Sequence, residues 1–140
     1  MRDLELALKA AGDPTRTRIL KLLEARDLCV CQIQAVLDMA PSTVSKHLTL
    51  LKQAGFVADR RDGKWVYYTL VGDARNPYTA GILSMLKGRP DRDPRVRADR
   101  RRLRQVLALP VDELCSLPPA ADLVPAALQS SSRRRVESRE

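Results

Sequence analysis

Apolar side chains recur at helical spacing through most of the chain, with one interruption by two short runs of β character. Residues 3–11 place Leu4, Leu8 and Ala11 on one face of a short helix. Asp13-Pro14 then reads as a helix start, with Asp13 suited to the N-cap and Pro14 to the first helical position. The helix it opens runs to about Arg26 and carries Ile19, Leu22 and Leu23 at core spacing. A further short helix spans about Val30 to Asp38, with Ile33, Val36 and Leu37 inward, and Met39-Ala40-Pro41 breaks it. Ser42 is the expected N-cap of the next helix, which stops at Gly55. Phe56–Arg61 and Lys64–Leu70 are strand-like and joined by Asp62-Gly63, a hairpin signal. Asn76-Pro77 opens a helix to about Lys87 with Tyr78, Ile82, Met85 and Leu86 on one stripe. Gly88–Pro94 reads as a loop, Arg95–Leu107 as a helix with Val96, Leu103 and Leu107 aligned, and Pro110–Leu117 as a last turn or two.

Helix, helix, short turn, helix, hairpin is the order of a winged helix-turn-helix. The expected class is therefore mostly α with a small β-hairpin (α+β). In this arrangement the second helix of the pair enters a DNA major groove, about 12 Å wide. Helical spacing sorts that helix into an inward stripe of Val44, Leu48 and Leu51 and an opposite face of Ser42, Ser45, Lys46 and Thr49, with Thr43 at the margin. Small hydroxyls and one lysine can contact base edges and phosphates without crowding. Arg60, Arg61 and Lys64 surround the hairpin tip, placed for phosphates. His47 falls on the inward side, where a hydrogen-bonded structural role is expected. Trp65, Tyr67 and Tyr68 are expected to pack and stiffen the wing.

Charge strengthens the nucleic-acid reading. The 140 residues carry 25 Lys plus Arg against 17 Asp plus Glu, a net charge of +8. The excess is larger towards the end, with 13 basic and 8 acidic residues over 76–140 against 12 and 9 over 1–75. The arginines at 95, 97, 100, 101, 102 and 104 read as a solvated face, tempered by Asp91, Asp93 and Asp99. The expected organisation is a DNA-binding and dimerisation domain over 1–108, an extension with a short helix over 109–128, and a disordered basic tail, QSSSRRRVESRE, over 129–140. No apolar run approaches the roughly 20 residues of a membrane span, and no secretory leader is visible, so a cytoplasmic protein without membrane association is expected. Three cysteines, two of them one residue apart, argue for free thiols in a reducing compartment rather than a disulfide framework. No phosphate loop, oxyanion motif or acid pair suggests an enzyme.

The stretches GDPTRTRILKLL, DLCVCQIQAVLDMAPSTVSKHLTLLKQAGFV and DRRDGKWVYYTL resemble the ArsR/SmtB family of metal- and metalloid-responsive repressors, over roughly residues 4–72. The resemblance implies a homodimer joined through terminal helices, here residues 3–11 and 76–88, on a double-stranded operator with inverted repeats. It also implies release of that DNA when an effector binds, with no permanent cofactor.

Cys29-Val30-Cys31 carries the effector argument, because thiolates are ligands for soft ions. In a regular helix two such residues point about 200° apart, so gripping one ion would distort the first turn, where backbone N–H groups lack helical partners. The arsenite- and antimonite-responsive branch of the family carries Cys-Val-Cys here with a third cysteine three residues on, but this chain has Gln34 there. A third thiolate would have to be Cys115, from the same chain or its mate; the alternative is that Cys115 packs against the last helix. As(III) or Sb(III) is thus the expected effector, with cadmium or lead, or thiol oxidation, as alternatives. A zinc site of the family's terminal-helix type is excluded, because His47 is the single histidine.

Overall fold

The computed structural model describes residues 1–72, 75–87 and 92–116. The expected tail over 129–140 and most of the extension over 109–128 lie outside the described residues. The chain opens with α1 (Arg2–Ala11), α2 (Pro14–Leu23), the two-residue strand β1 (Leu28–Cys29), α3 (Val30–Leu37) and α4 (Pro41–Gln53). The wing, β2 (Val57–Asp62) and β3 (Trp65–Leu70), follows, then α5 (Thr79–Lys87), α6 (Pro94–Leu107) and α7 (Val111–Ser116).

Local chemistry explains most boundaries. Asp13 caps α2 by accepting from the Arg16 N–H at 3.0 Å, and Pro14 follows at the first helical position, where no N–H is needed. α4 closes in a Schellman arrangement: the Phe56 N–H reaches Leu51 O at 3.0 Å and the Gly55 N–H reaches Lys52 O at 3.1 Å. Gly55 has φ 88°, a conformation that favours glycine. The turn between α3 and α4 pivots on Asp38, whose φ of 55° is the one positive value at a non-glycine residue among the described residues; a short polar side chain tolerates it best.

Three expectations are corrected. Ser42 is not the N-cap of α4: Ala40 holds that place, because Pro41, with its fixed φ and missing N–H, occupies the first helical position. The hairpin turn is Gly63-Lys64 rather than Asp62-Gly63, since Asp62 pairs with Trp65; Gly63, with φ 61°, takes the first central position of the two-residue turn. The sheet has three strands rather than two. β1 pairs antiparallel with β3, Leu28 opposite Tyr68 and Cys29 opposite Tyr67, giving the order β1-β3-β2.

One apolar core joins the elements. Ile19, Leu22, Leu28, Ile33, Val44, Leu48, Leu51 and Phe56 are essentially inaccessible. α6 lies against α2 and α3, and α7 against α3, contributing Leu103, Val106 and Leu114. α6 is oriented by a bidentate pair: Arg18 Nε and Nη2 donate to Asp99 at 2.8 and 2.9 Å. Asp99 is thereby buried under the helix rather than tempering the arginine face. Asp93 instead caps α6, accepting from the Arg95 N–H at 2.8 Å. Asn76, buried between elements, donates to Asp3 O at 3.1 Å and Ala54 O at 2.9 Å and accepts from the Tyr78 N–H at 3.2 Å. It latches α1, the end of α4 and the start of α5, delaying that helix to Thr79.

Removing one partner of a buried ion pair leaves the other charge uncompensated, at a cost of about 3 kcal/mol. Asp99→Asn should therefore lower unfolding stability in urea by about that amount, with Arg18→Met,Asp99→Met costing less than either single change. Equal stability of Asp99→Asn and wild type would show that the pair does not anchor α6.

Candidate functional site

The outward face of α4 leads into the wing, whose first strand packs on that helix. Ser42, Thr43, Ser45, Lys46 and Thr49 are exposed, while Val44, Leu48 and Leu51 are buried. Thr49 Oγ1 donates to Ser45 O at 2.9 Å, so its hydroxyl faces solvent as an acceptor only. The wing is fastened to α4 by Lys52–Asp59 at 2.8 Å. This pair lowers the Asp59 carboxyl and raises the Lys52 ammonium from their ordinary ranges.

The basic residues of the wing differ in their commitments. Arg60 lies 3.6 Å from Asp27 and 4.0 Å from Asp62 and stacks over the Tyr67 ring at 4.9 Å. Lys64 sits over the Trp65 ring at 4.9 Å. Arg61 is exposed and has no ion pair among the described residues. His47 is hydrogen-bonded to Arg16 at 3.2 Å, with 18% of its side chain exposed.

At the other end of α3 the three cysteines converge. Their sulfurs all lie within 4.8 Å of one another. Cys29 is not inside a helix: it ends β1 and serves as N-cap of α3, with φ −83° and ψ 163°. The expected helical distortion is therefore not needed, because the extended backbone at Cys29 already lets its sulfur approach Cys31. Gln32, three residues on, returns its side-chain oxygen to the Cys29 N–H at 3.0 Å, half of a capping box whose spacing was readable in CVCQ. Burial pushes the Cys29 thiol above its usual range, partly offset by backbone N–H groups of Gln32 and Cys31.

The structure also departs from the expectation of three free thiols: Cys31 and Cys115 are joined as a disulfide, leaving Cys29 free and buried. α6 and α7 carry the chain back across 84 residues and bring the Cys31 and Cys115 Cα atoms to 5.3 Å, inside the usual bridging range. Cys115 thus meets the pair from its own chain.

These features agree with the comparisons to known proteins. The sequence pattern described as bacterial regulatory protein, arsR family, matches residues 13–59. An HTH-type transcriptional regulator of Methanocaldococcus jannaschii is 50% identical over 66 residues, covering 46% of this chain and 74% of the relative. The chain belongs to the ArsR family.

The arsenical resistance operon repressor of Escherichia coli is 44% identical over 63 residues, covering 44% of this chain and 54% of the repressor. The homodimeric winged helix-turn-helix DNA-binding domain of a Mycobacterium bovis protein superposes with TM-score 0.53 at 27% identity, over 61% of this chain and 76% of that one. HlyU from Vibrio cholerae superposes with TM-score 0.52 at 27% identity, over 63% and 95%. The family is one of transcriptional regulators, and this chain has the winged helix-turn-helix fold of a DNA-binding member. No helix among the described residues is long and apolar enough to cross a membrane.

Peptide mass mapping without reductant should recover Cys31 and Cys115 in one linked peptide and Cys29 as a thiol. Buried and protonated, Cys29 should react with iodoacetamide far more slowly than after denaturation, and faster as pH rises towards its elevated titration. Immediate labelling of Cys29 in the native chain would show that the cluster is open.

Proposed function

We propose that this ArsR-family regulator is a homodimeric repressor released from an inverted-repeat operator by trivalent arsenic or antimony held on Cys29, Cys31 and Cys115. The observation that carries the proposal is the meeting of all three cysteines of the chain, from β1, α3 and α7, at the entry to the helix-turn-helix. Relatives named for resistance to soft ions support it: the E. coli arsenical resistance operon repressor, and a cadmium resistance regulatory protein homologue of Staphylococcus aureus, 39% identical over 69 residues. The chain spans about half the length of each, 54% and 57%.

The donor set fits a thiophilic ion, since three sulfurs form the cluster and no carboxylate or imidazole among the described residues joins them. Trivalent arsenic or antimony would supply a soft centre that binds thiolates. The chain's own part is to deliver them. The Cys31–Cys115 bond must first be reduced by an external thiol reductant, which becomes a disulfide as it supplies two electrons and two protons, and all three thiols must then give up their protons, so capture is favoured as pH rises. Cys115 fixes α7 to the first turn of α3, and α3 packs on α4; rearranging the three sulfurs therefore bears on the helix that supports the reading face.

On the DNA side, Lys46 of α4 and Arg61 of the wing supply uncommitted charge, joined by the exposed hydroxyls of Ser42, Thr43, Ser45 and Thr49 on α4 and by Arg60 and Lys64 of the wing. Dimer formation would cover Leu8, Tyr78 and Met85, which are 55%, 40% and 56% exposed in the single chain, together with Leu4, Ile82 and Leu86.

A second reading rests on the disulfide itself. Hydrogen peroxide would take two electrons and two protons from the Cys31 and Cys115 thiols, leaving two waters, and DNA affinity would then follow oxidation rather than metalloid.

Reduced Cys29→Ser, Cys31→Ser and Cys115→Ser should each bind DNA as wild type does but lose arsenite release, an effect of roughly 5–150-fold in wild-type affinity. Fluorescence polarisation checks this; release unchanged in all three variants would overturn the thiol site. Release by peroxide, but not by arsenite under strict reduction, would favour the second reading. Lys46→Ala and Arg61→Ala should each reduce the slope of log K against log salt by about 1, whereas Arg60→Ala should change it less, because Asp27 and Asp62 already engage that charge. A full-sized slope change in Arg60→Ala and none in Arg61→Ala would reverse this assignment.

A further inference from the structure

His47 is the one histidine of the chain, and it lies on α4 itself, at the edge of the buried stripe. Its Nδ1 is 3.2 Å from Arg16 Nη1. A guanidinium only donates, so Nδ1 accepts and the neutral ring carries its proton on Nε2. The rest of the same guanidinium is committed elsewhere. Nε donates to Ala10 O at 2.8 Å and Nη2 to Lys9 O at 3.0 Å. Both carbonyls belong to the last turn of α1, which a helix leaves without internal partners. One planar fork therefore joins the end of α1 to the middle of α4.

We infer that Arg16 is a positioning residue for DNA reading, setting the recognition helix against α1 through His47, and that protonation of His47 breaks this link. The inference rests on the DNA-binding role that family membership establishes and is independent of the thiol site.

The groups around His47 determine the sign. Arg16 faces it from α2. Asp13 Oδ2, at the start of α2, is 4.0 Å from Nδ1 but is already used to cap the Arg16 N–H at 3.0 Å. α1 presents only carbonyl oxygens to Arg16, since the Lys9 ammonium turns outward to Glu5 at 2.9 Å. Lys46, next to His47 on α4, is exposed, as is Asp38 at the end of α3. A doubly protonated ring has no acceptor left, so two donors and two positive charges would meet at the Arg16 contact, with Asp13 the carboxylate in reach. Added positive charge alone would strengthen binding to phosphates. Loss of the link predicts the opposite: weaker sequence-specific binding on acidification.

The test uses the full chain under reducing conditions and a fluorescent duplex that the wild type has selected from a random-sequence library, beside an unrelated duplex of equal length. From about pH 8 to about pH 5.5, the range in which an ordinary histidine changes charge, wild-type affinity for the selected duplex should fall roughly tenfold, the order expected for one charge-assisted hydrogen bond. Affinity for the unrelated duplex should not fall. His47→Asn places an oxygen the same number of bonds from Cα as Nδ1, cannot be protonated in this range, and should keep at both pH values the affinity that the wild type shows at the higher one. His47→Leu and Arg16→Lys should already be about tenfold weaker at the higher pH on the selected duplex only, and show no further fall.

A wild-type chain that gains affinity on acidification, or a His47→Asn variant with an unchanged pH profile, would overturn the inference. If circular dichroism shows that His47→Leu or Arg16→Lys is unfolded, the comparison of wild type with His47→Asn decides alone. A wild-type chain that selects no duplex would overturn the DNA-binding role itself, and the inference with it.

Discussion

The burial of one stripe of α4 is the constraint on which the rest of the molecule depends. Val44, Leu48 and Leu51 are wholly inaccessible and belong to the same cluster as Ile19, Leu22, Ile33 and Val36. Burying each such side chain contributes about 1.5–3 kcal/mol relative to exposure, so a turn of α4 by one residue, about 100°, would forfeit several of these contributions and press Ser45 or Lys46 into the core. The hydroxyl and lysine face is outward because the opposite face cannot be. The Schellman closure at Gly55 then sends Phe56 into the same core, and Phe56 O receives the Val71 N–H at 2.9 Å, which fixes where the wing leaves and returns.

α2 distributes this order through polar contacts. Arg16 reaches α1 and α4, Arg18 grips Asp99 of α6, and Lys21 donates at 3.0 Å to both Glu24 and Leu86 O at the end of α5. Three cations on one helix thus address four other elements. Their partly or fully buried settings make them matter more than exposed pairs such as Lys9–Glu5, which contribute little in water. The helices on which the proposed dimer depends, α1 and α5, are therefore held to the helix-turn-helix by directional bonds as well as by apolar packing.

The thiol cluster and the proposed DNA-reading face lie on elements that touch each other. Cys29 is built into the edge of the sheet opposite Tyr67, Cys31 into the first turn of α3, and Cys115 into α7. Because α3 contacts α4, α6 and α7 together, chemistry at its first turn acts on a packed helix pair, and interiors packed at crystal-like density transmit small displacements. His47 offers a separate route from solution conditions to the same reading helix, at the α1 side.

The helices, the wing and the two faces of α4 were legible in the sequence because each is specified locally: Asp13-Pro14 caps, Gly55 terminates, and the 3.6-residue period of Val44, Leu48 and Leu51 needs no knowledge of their partners. The closeness of Cys29 and Cys31 was legible for the same reason. Only the tertiary structure could decide the rest. A strand of two residues has no period, so β1 exists through β3; Asp99 within an arginine-rich helix reads as a surface charge until Arg18, 81 residues away, covers it. Cys115 gains its meaning at 5.3 Å from Cys31, across 84 residues of chain. Local sequence determines which way a side chain faces on its own element, but what it meets there depends on how the elements pack.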